Sequence, residues 1–131
     1  MIRMTFAALA LLAACTEGDP AGLTEAGIAH DWSLVTLNGQ AFAGRATLDL
    51  TEAGRAAGQA PCNRYFGARA GALPEFRLTG IGATRMACAD LSAEDDFLKA
   101  LGAVQAAALE EGRLVLTGPG EVRLEFALAA Q

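Results

Sequence analysis

The chain has 131 residues, enough for one compact domain and too few for two; 53% are hydrophobic and only 6% aromatic. Alanine supplies much of that hydrophobicity, so the core rests on few large side chains and a covalent staple would help it. Fifteen acidic residues outnumber ten basic ones, the pI is near 4.8, and no run of Lys or Arg could neutralise a series of phosphates, so nothing favours nucleic-acid binding.

In MIRMTFAALALLAAC one basic residue, Arg3, precedes an apolar run from Met4 to Ala14. The run is too short for a bilayer span, which takes about 20 residues. It has the size of a signal-peptide core, closed by the small residues Ala13 and Ala14. LAAC resembles the bacterial lipobox, the tetrapeptide at which a lipoprotein signal peptide is cleaved before cysteine. That resemblance implies a signal peptide at 1–14 and a mature chain starting at Cys15, which carries a thioether-linked diacylglycerol and an acylated amine. Several acyl chains, at about 0.8 kcal/mol per buried CH₂, would hold the protein to a membrane. An ordinary secretory signal with an incidental cysteine is the alternative, and both readings export the chain. Thr16 after the anchor cysteine fits the lipoprotein sorting pattern for the outer membrane, facing the periplasm. Loss of residues 1–14 removes Arg3 and leaves nine basic against fifteen acidic residues. Residues 15–30, rich in Gly, acids and small side chains, read as a tether. The domain is then expected over 31–131.

Short strands follow. DWSLVTL ends in Asn38-Gly39, a dipeptide whose residues tolerate positive φ in a hairpin turn. ATLDLT sets Leu48 and Leu50 against Thr47, Asp49 and Thr51, and EFRLTGIG sets Phe76 and Leu78 against Arg77 and Thr79. RLVLTG and EVRLEFAL alternate as well, the latter with Val122, Leu124, Phe126 and Leu128 directed inward. This is the period of antiparallel strands with one dry face.

One helix is expected within SAEDDFLKALGAVQAAALEEG, with Ser92 as N-cap, Asp95 at the third helical position and acids at 94–96 at the positive end of the dipole. Phe97, Leu101, Val104 and Ala108 recur at helical spacing, and Gly112 can end it. Its polar face is acidic, which favours packing on the sheet over binding anionic lipid. The predicted architecture is mainly β with one α-helix: a small antiparallel partial barrel with the helix packed across an opening. Trp32, Phe76, Phe97, Leu101 and Phe126 are expected to fill its interior.

Acylation of Cys15 leaves Cys62 and Cys88 in a compartment where disulfides persist. A disulfide between them is the expected arrangement and would add up to about 3.5 kcal/mol by loop entropy. A redox role stays open because Arg64 and Arg85 could lower a thiol pKa. A zinc site lacks four ligands at short spacing, and the single histidine, His30, lies in the expected tether. No metal, cofactor or catalytic residue is expected.

GQAPCNRYFG, LTGIGATRMAC, FLKALGAV and a closing RLVLTG…VRLEF resemble the META domain, the family of HslJ-like bacterial lipoproteins; Trp32-Ser33-Leu34 followed by Asn38-Gly39 matches its beginning. The resemblance covers roughly residues 31–128. It implies a distorted small barrel, no catalytic residues, and a role in envelope stress tolerance toward heat or antibiotic. Two departures from the family pattern are Pro61 before the cysteine and Ala107-Ala108 in place of a bulkier helix end. The motif residues Trp32, Asn63, Arg64, Thr84, Arg85 and Met86 receive structural readings: Asn63 bonding nearby backbone, the two arginines donating to carboxylates or carbonyls, Thr84 capping a loop and Met86 filling core. A monomer is expected, held to the membrane by its acyl chains, with an envelope protein or a hydrophobic ligand in the barrel as possible partners.

Overall fold

Alternating apolar residues place most strands where the sequence puts them. The computed structural model describes residues 22–129; the expected signal peptide at 1–14 and lipid attachment at Cys15 lie outside these residues. A one-turn helix, α1 (Glu25–Ile28), leads into β1 (Asp31–Leu37), β2 (Gln40–Ala41), β3 (Thr47–Asp49), β4 (Arg55–Gln59), β5 (Arg64–Ala70) and β6 (Arg77–Ala83). Helix α2 (Leu91–Ala103) follows, then β7 (Ala106–Glu110), β8 (Arg113–Thr117) and β9 (Arg123–Leu128). The strands form one antiparallel sheet in the order β6-β5-β4-β3-β1-β9-β8-β7, with β2 paired to β1. The sheet curls until its ends meet at one rim. There Phe76 N–H donates to the Gln105 carbonyl at 2.9 Å, and Ala107 N–H to the Pro74 carbonyl at 2.9 Å.

Asn38 and Gly39 both adopt positive φ, 52° and 82°, as the β1–β2 turn requires. Helix α2 packs against β6 and β9. Trp32, Phe76, Phe97, Leu101 and Phe126 are all buried, so side chains fill the interior. Five alanines (46, 56, 60, 100 and 107) are buried among them and let the elements approach closely.

Four expectations change. The folded body begins before residue 31: Ile28 is fully buried, Leu23 packs on the core, and Trp32 Nε1–H donates to the Ile28 carbonyl at 3.0 Å. The helix starts two residues earlier, with Asp90 rather than Ser92 at the N-cap and no side-chain capping bond. It also stops at Ala103 instead of running to Gly112. The reason is competition for the backbone: Gln105 N–H donates to the Thr117 carbonyl at 2.7 Å while its own carbonyl serves Phe76. Gly118 sits hard against the Ala103 carbonyl, where a Cβ would lie 2.2 Å from that oxygen. Ala107 and Ala108 are therefore strand residues, and Glu111-Gly112 is a hairpin turn with φ of 52° and 78°. Finally, Leu128, the last residue of β9, is exposed, and Val122, just before the strand begins, is only half-buried.

Candidate functional site

The most concentrated polar chemistry lies where the β4–β5 turn, the segment after β6 and the first turn of α2 meet. Cys62 and Cys88 are joined by a disulfide, 26 residues apart in sequence, with Cα atoms 6.2 Å apart. Beside it Asn63 is buried. Its Oδ1 accepts from Met86 N–H at 2.6 Å and from the Thr84 hydroxyl at 3.1 Å. Its Nδ2 donates to Glu94 Oε2 at 2.6 Å and to the Met86 carbonyl at 3.4 Å. The other carboxylate oxygen, Glu94 Oε1, accepts from Asn63 N–H at 2.6 Å and Cys62 N–H at 3.0 Å.

Glu94 is thus a buried carboxylate held by three donors from one turn. Burial pushes its pKa up, but the bonds from the Asn63 amide and from the Asn63 and Cys62 backbones outweigh burial and hold it below 4.5. The negative charge stays and orders the turn. Thr84 completes the knot: its hydroxyl also accepts from Arg64 N–H at 3.1 Å, and its own N–H donates to the Arg64 carbonyl at 2.9 Å.

Next to Arg64 on β5, Tyr65 reaches over Gly58 of β4 and donates its hydroxyl to the Thr47 carbonyl of β3 at 2.5 Å. A side chain at 58 would collide with both groups. Burial, helped by the charge of Asp49, raises the Tyr65 hydroxyl pKa far above its ordinary value, so it remains a donor. Its ring meets Phe97 edge-on at 5.6 Å between centroids.

The motif residues divide. Trp32, Asn63, Thr84 and the cysteine pair take up structural positions. Arg64 and Arg85 are exposed, and among the described residues their guanidinium groups reach neither a carboxylate nor a carbonyl. Met86 is 63% exposed rather than core; the knot uses its backbone, because the disulfide holds the segment at the surface. Asn63 does bond backbone, but across 23 residues instead of within its own turn. Glu94 went unrecognised among three acids. The usable signal was its place on the stripe of Phe97, Leu101 and Val104, at helical spacing on the buried face. Among the described residues no three His, Cys, Asp or Glu side chains converge as a metal site would need.

The META domain family model matches residues 24–131. Solved structures of similar fold include an NMR structure of a protein from Burkholderia xenovorans, 24% identical with a TM-score of 0.68, covering 98% of this chain and 100% of that one. Another NMR structure is 23% identical with a TM-score of 0.63, covering 80% and 94%. At these identities the likeness is one of fold. No curated protein matches the chain.

Proposed function

The chain belongs to the META domain family, and on that premise we propose that it is a non-enzymatic lipoprotein of the cell envelope, supporting envelope stress tolerance by binding or bracing other components. One observation carries the non-enzymatic part. The groups able to exchange protons at this cluster are used on the fold itself: both Glu94 oxygens, the Asn63 amide and the Thr84 hydroxyl are engaged within it. A site for acid–base or nucleophilic work would hold a group in reserve for substrate. The lipobox-like LAAC and the disulfide both favour an exported chain anchored at Cys15.

Deleting the gene should sensitise cells to heat or to an envelope-directed antibiotic, with the normal gene restoring tolerance and a Cys15→Ala copy failing to do so. Unchanged tolerance in the deletion strain would count against the role. A thiol-redox reading requires a free Cys62 or Cys88; alkylation of the exported protein without reductant should label neither. A hydrophobic ligand inside the barrel gains no support from an interior filled by Trp32, Phe76, Phe97, Leu101 and Phe126.

A further inference from the structure

The outer face of the sheet carries a row of cross-strand partners running from β1 to β6: Asp31 opposite Asp49, Asp49 opposite Ala57, Ala57 opposite Phe66, and Phe66 opposite Gly82. Directly paired residues share a face. The methyl of Ala57 is therefore the floor of a groove with two carboxylates on one wall and an aromatic ring on the other. Gln59 pairs with Arg64 in the next outward-facing positions along β4 and β5 and adds a cation to the aromatic wall, while Arg55, whose guanidinium lies 3.6 Å from the Glu52 carboxylate, lines the groove on the other side of Ala57. The groove holds about 460 Å³, within the range of small-ligand sites.

Two features of this row serve the fold poorly, and a third group beside it is uncommitted. Like charges directly opposite destabilise a strand pair, yet Asp31 faces Asp49, and among the described residues neither has an ion-pair partner. Asp49 Oδ1 is met only by the neutral backbone and hydroxyl of Thr51, at 2.8 and 2.6 Å. Phe66 is 49% exposed although its ring lies over Gly82, where a Cβ would come within 2.9 Å of it. Arg64 is exposed and unpaired among the described residues. Local rules broken together are the mark of a functional surface.

We propose that this groove binds a short peptide zwitterion, its ammonium group between Asp31 and Asp49, its carboxylate at Arg64 and an apolar side chain against Phe66. β3 and β5 lie two strand spacings apart, about 10 Å, and Arg64 stands two residues, about 7 Å, along β5 from the Asp49–Ala57–Phe66 row, a separation of about 12 Å; an extended dipeptide spans about 7 Å of it, and the long Arg64 side chain reaches across the rest. Opposite charges on the two walls select a ligand charged at both ends. A longer chain would have to carry one of its charges past a wall. The inference goes beyond the envelope role proposed above and does not depend on it, since it is read by binding to the purified protein and that role by tolerance in cells.

The test uses the full-length chain in detergent micelles, titrated with the dipeptide Gly-Phe and followed by amide NMR. Saturable shifts are expected at Asp49, Ala57, Gln59 and Phe66, with a Kd of about 1 mM. N-acetylated and C-amidated Gly-Phe should each bind at least about tenfold more weakly, as should the Arg64→Gln variant. Asp31→Asn should weaken Gly-Phe binding and at the same time raise Tm by about 2 °C, because it removes the unpaired repulsion. Absence of saturable shifts, equal binding of the blocked peptides, or a lower Tm for Asp31→Asn would each overturn the assignment.

Discussion

Glu94 shows how a single side chain can hold three segments. Its carboxylate takes three hydrogen bonds from residues 62 and 63 while anchored in the first turn of α2. Bonds to a charged acceptor are worth more than neutral ones, and unsatisfied buried donors are costly. Glu94→Gln puts an NH₂ where only acceptors fit, and should cost about 3 kcal/mol in denaturant unfolding at neutral pH. Because folding lowers the Glu94 pKa below 4.5, its contribution is fully present above that value and fades as pH falls through the folded value. The stability gap between wild type and Glu94→Gln should accordingly narrow on acidification below pH 4.5. A gap that stayed constant to strong acid would mean that the charge is not what holds the turn.

At the scale of elements, the boundary between α2 and β7 is the informative one. The run from Gly102 to Leu109 has no proline, and its alanines favour helix on propensity alone. Pairing wins because β7 finds five register partners on β8, from Ala106 opposite Thr117 to Glu110 opposite Arg113. The turn that permits this pairing has Glu111 at φ 52°, a poor residue for that conformation, next to Gly112 at 78°. Glu111→Asn, which recreates the dipeptide already used at 38–39, should stabilise the protein by about 0.5–1 kcal/mol. Gly112→Ala should destabilise it by about 1–2 kcal/mol, through backbone strain alone, since nothing lies within 4 Å of the added Cβ. Chemical denaturation of both variants checks the pair; if they shift the same way, the turn assignment is wrong.

For the molecule as a whole, two devices tie sequence-distant parts of a lean core together. The disulfide links the β4–β5 turn to the segment before α2, and replacing both Cys62 and Cys88 with alanine should remove up to about 3.5 kcal/mol. Mass measurement and denaturant midpoints on the oxidised protein and the double variant measure that loss directly. The second device docks the N-terminal segment. Arg69 lies with its guanidinium carbon 4.7 Å from the centroid of the Phe76 ring, its side chain only 8% exposed, and both its terminal nitrogens donate to Glu25. That pair, with Ile28 in the core, makes residues just before β1 part of the domain rather than a free tether. The hydrogen bonds from Arg69 lower the Glu25 pKa, so this clasp holds above the usual carboxylate range and loosens as pH falls through the lowered value.

The sequence by itself determined the strands that alternate cleanly, the Asn38-Gly39 turn, the five large interior side chains and the pairing of two cysteines. The strands and the interior side chains follow from a local period, the turn from a dipeptide that tolerates positive φ, and the cysteine pair from the count left once Cys15 is set aside. Only the tertiary structure decided three things: that an alanine-rich run became β7, that Met86 faces solvent while its backbone is bound, and that one acid of three was buried. Alanine prefers helix on propensity, and only the hydrogen bonds supplied by a partner strand override that preference. Likewise, which carboxylate is desolvated depends on how α2 is rotated against the turn at 62–63, a choice made by packing and not by composition.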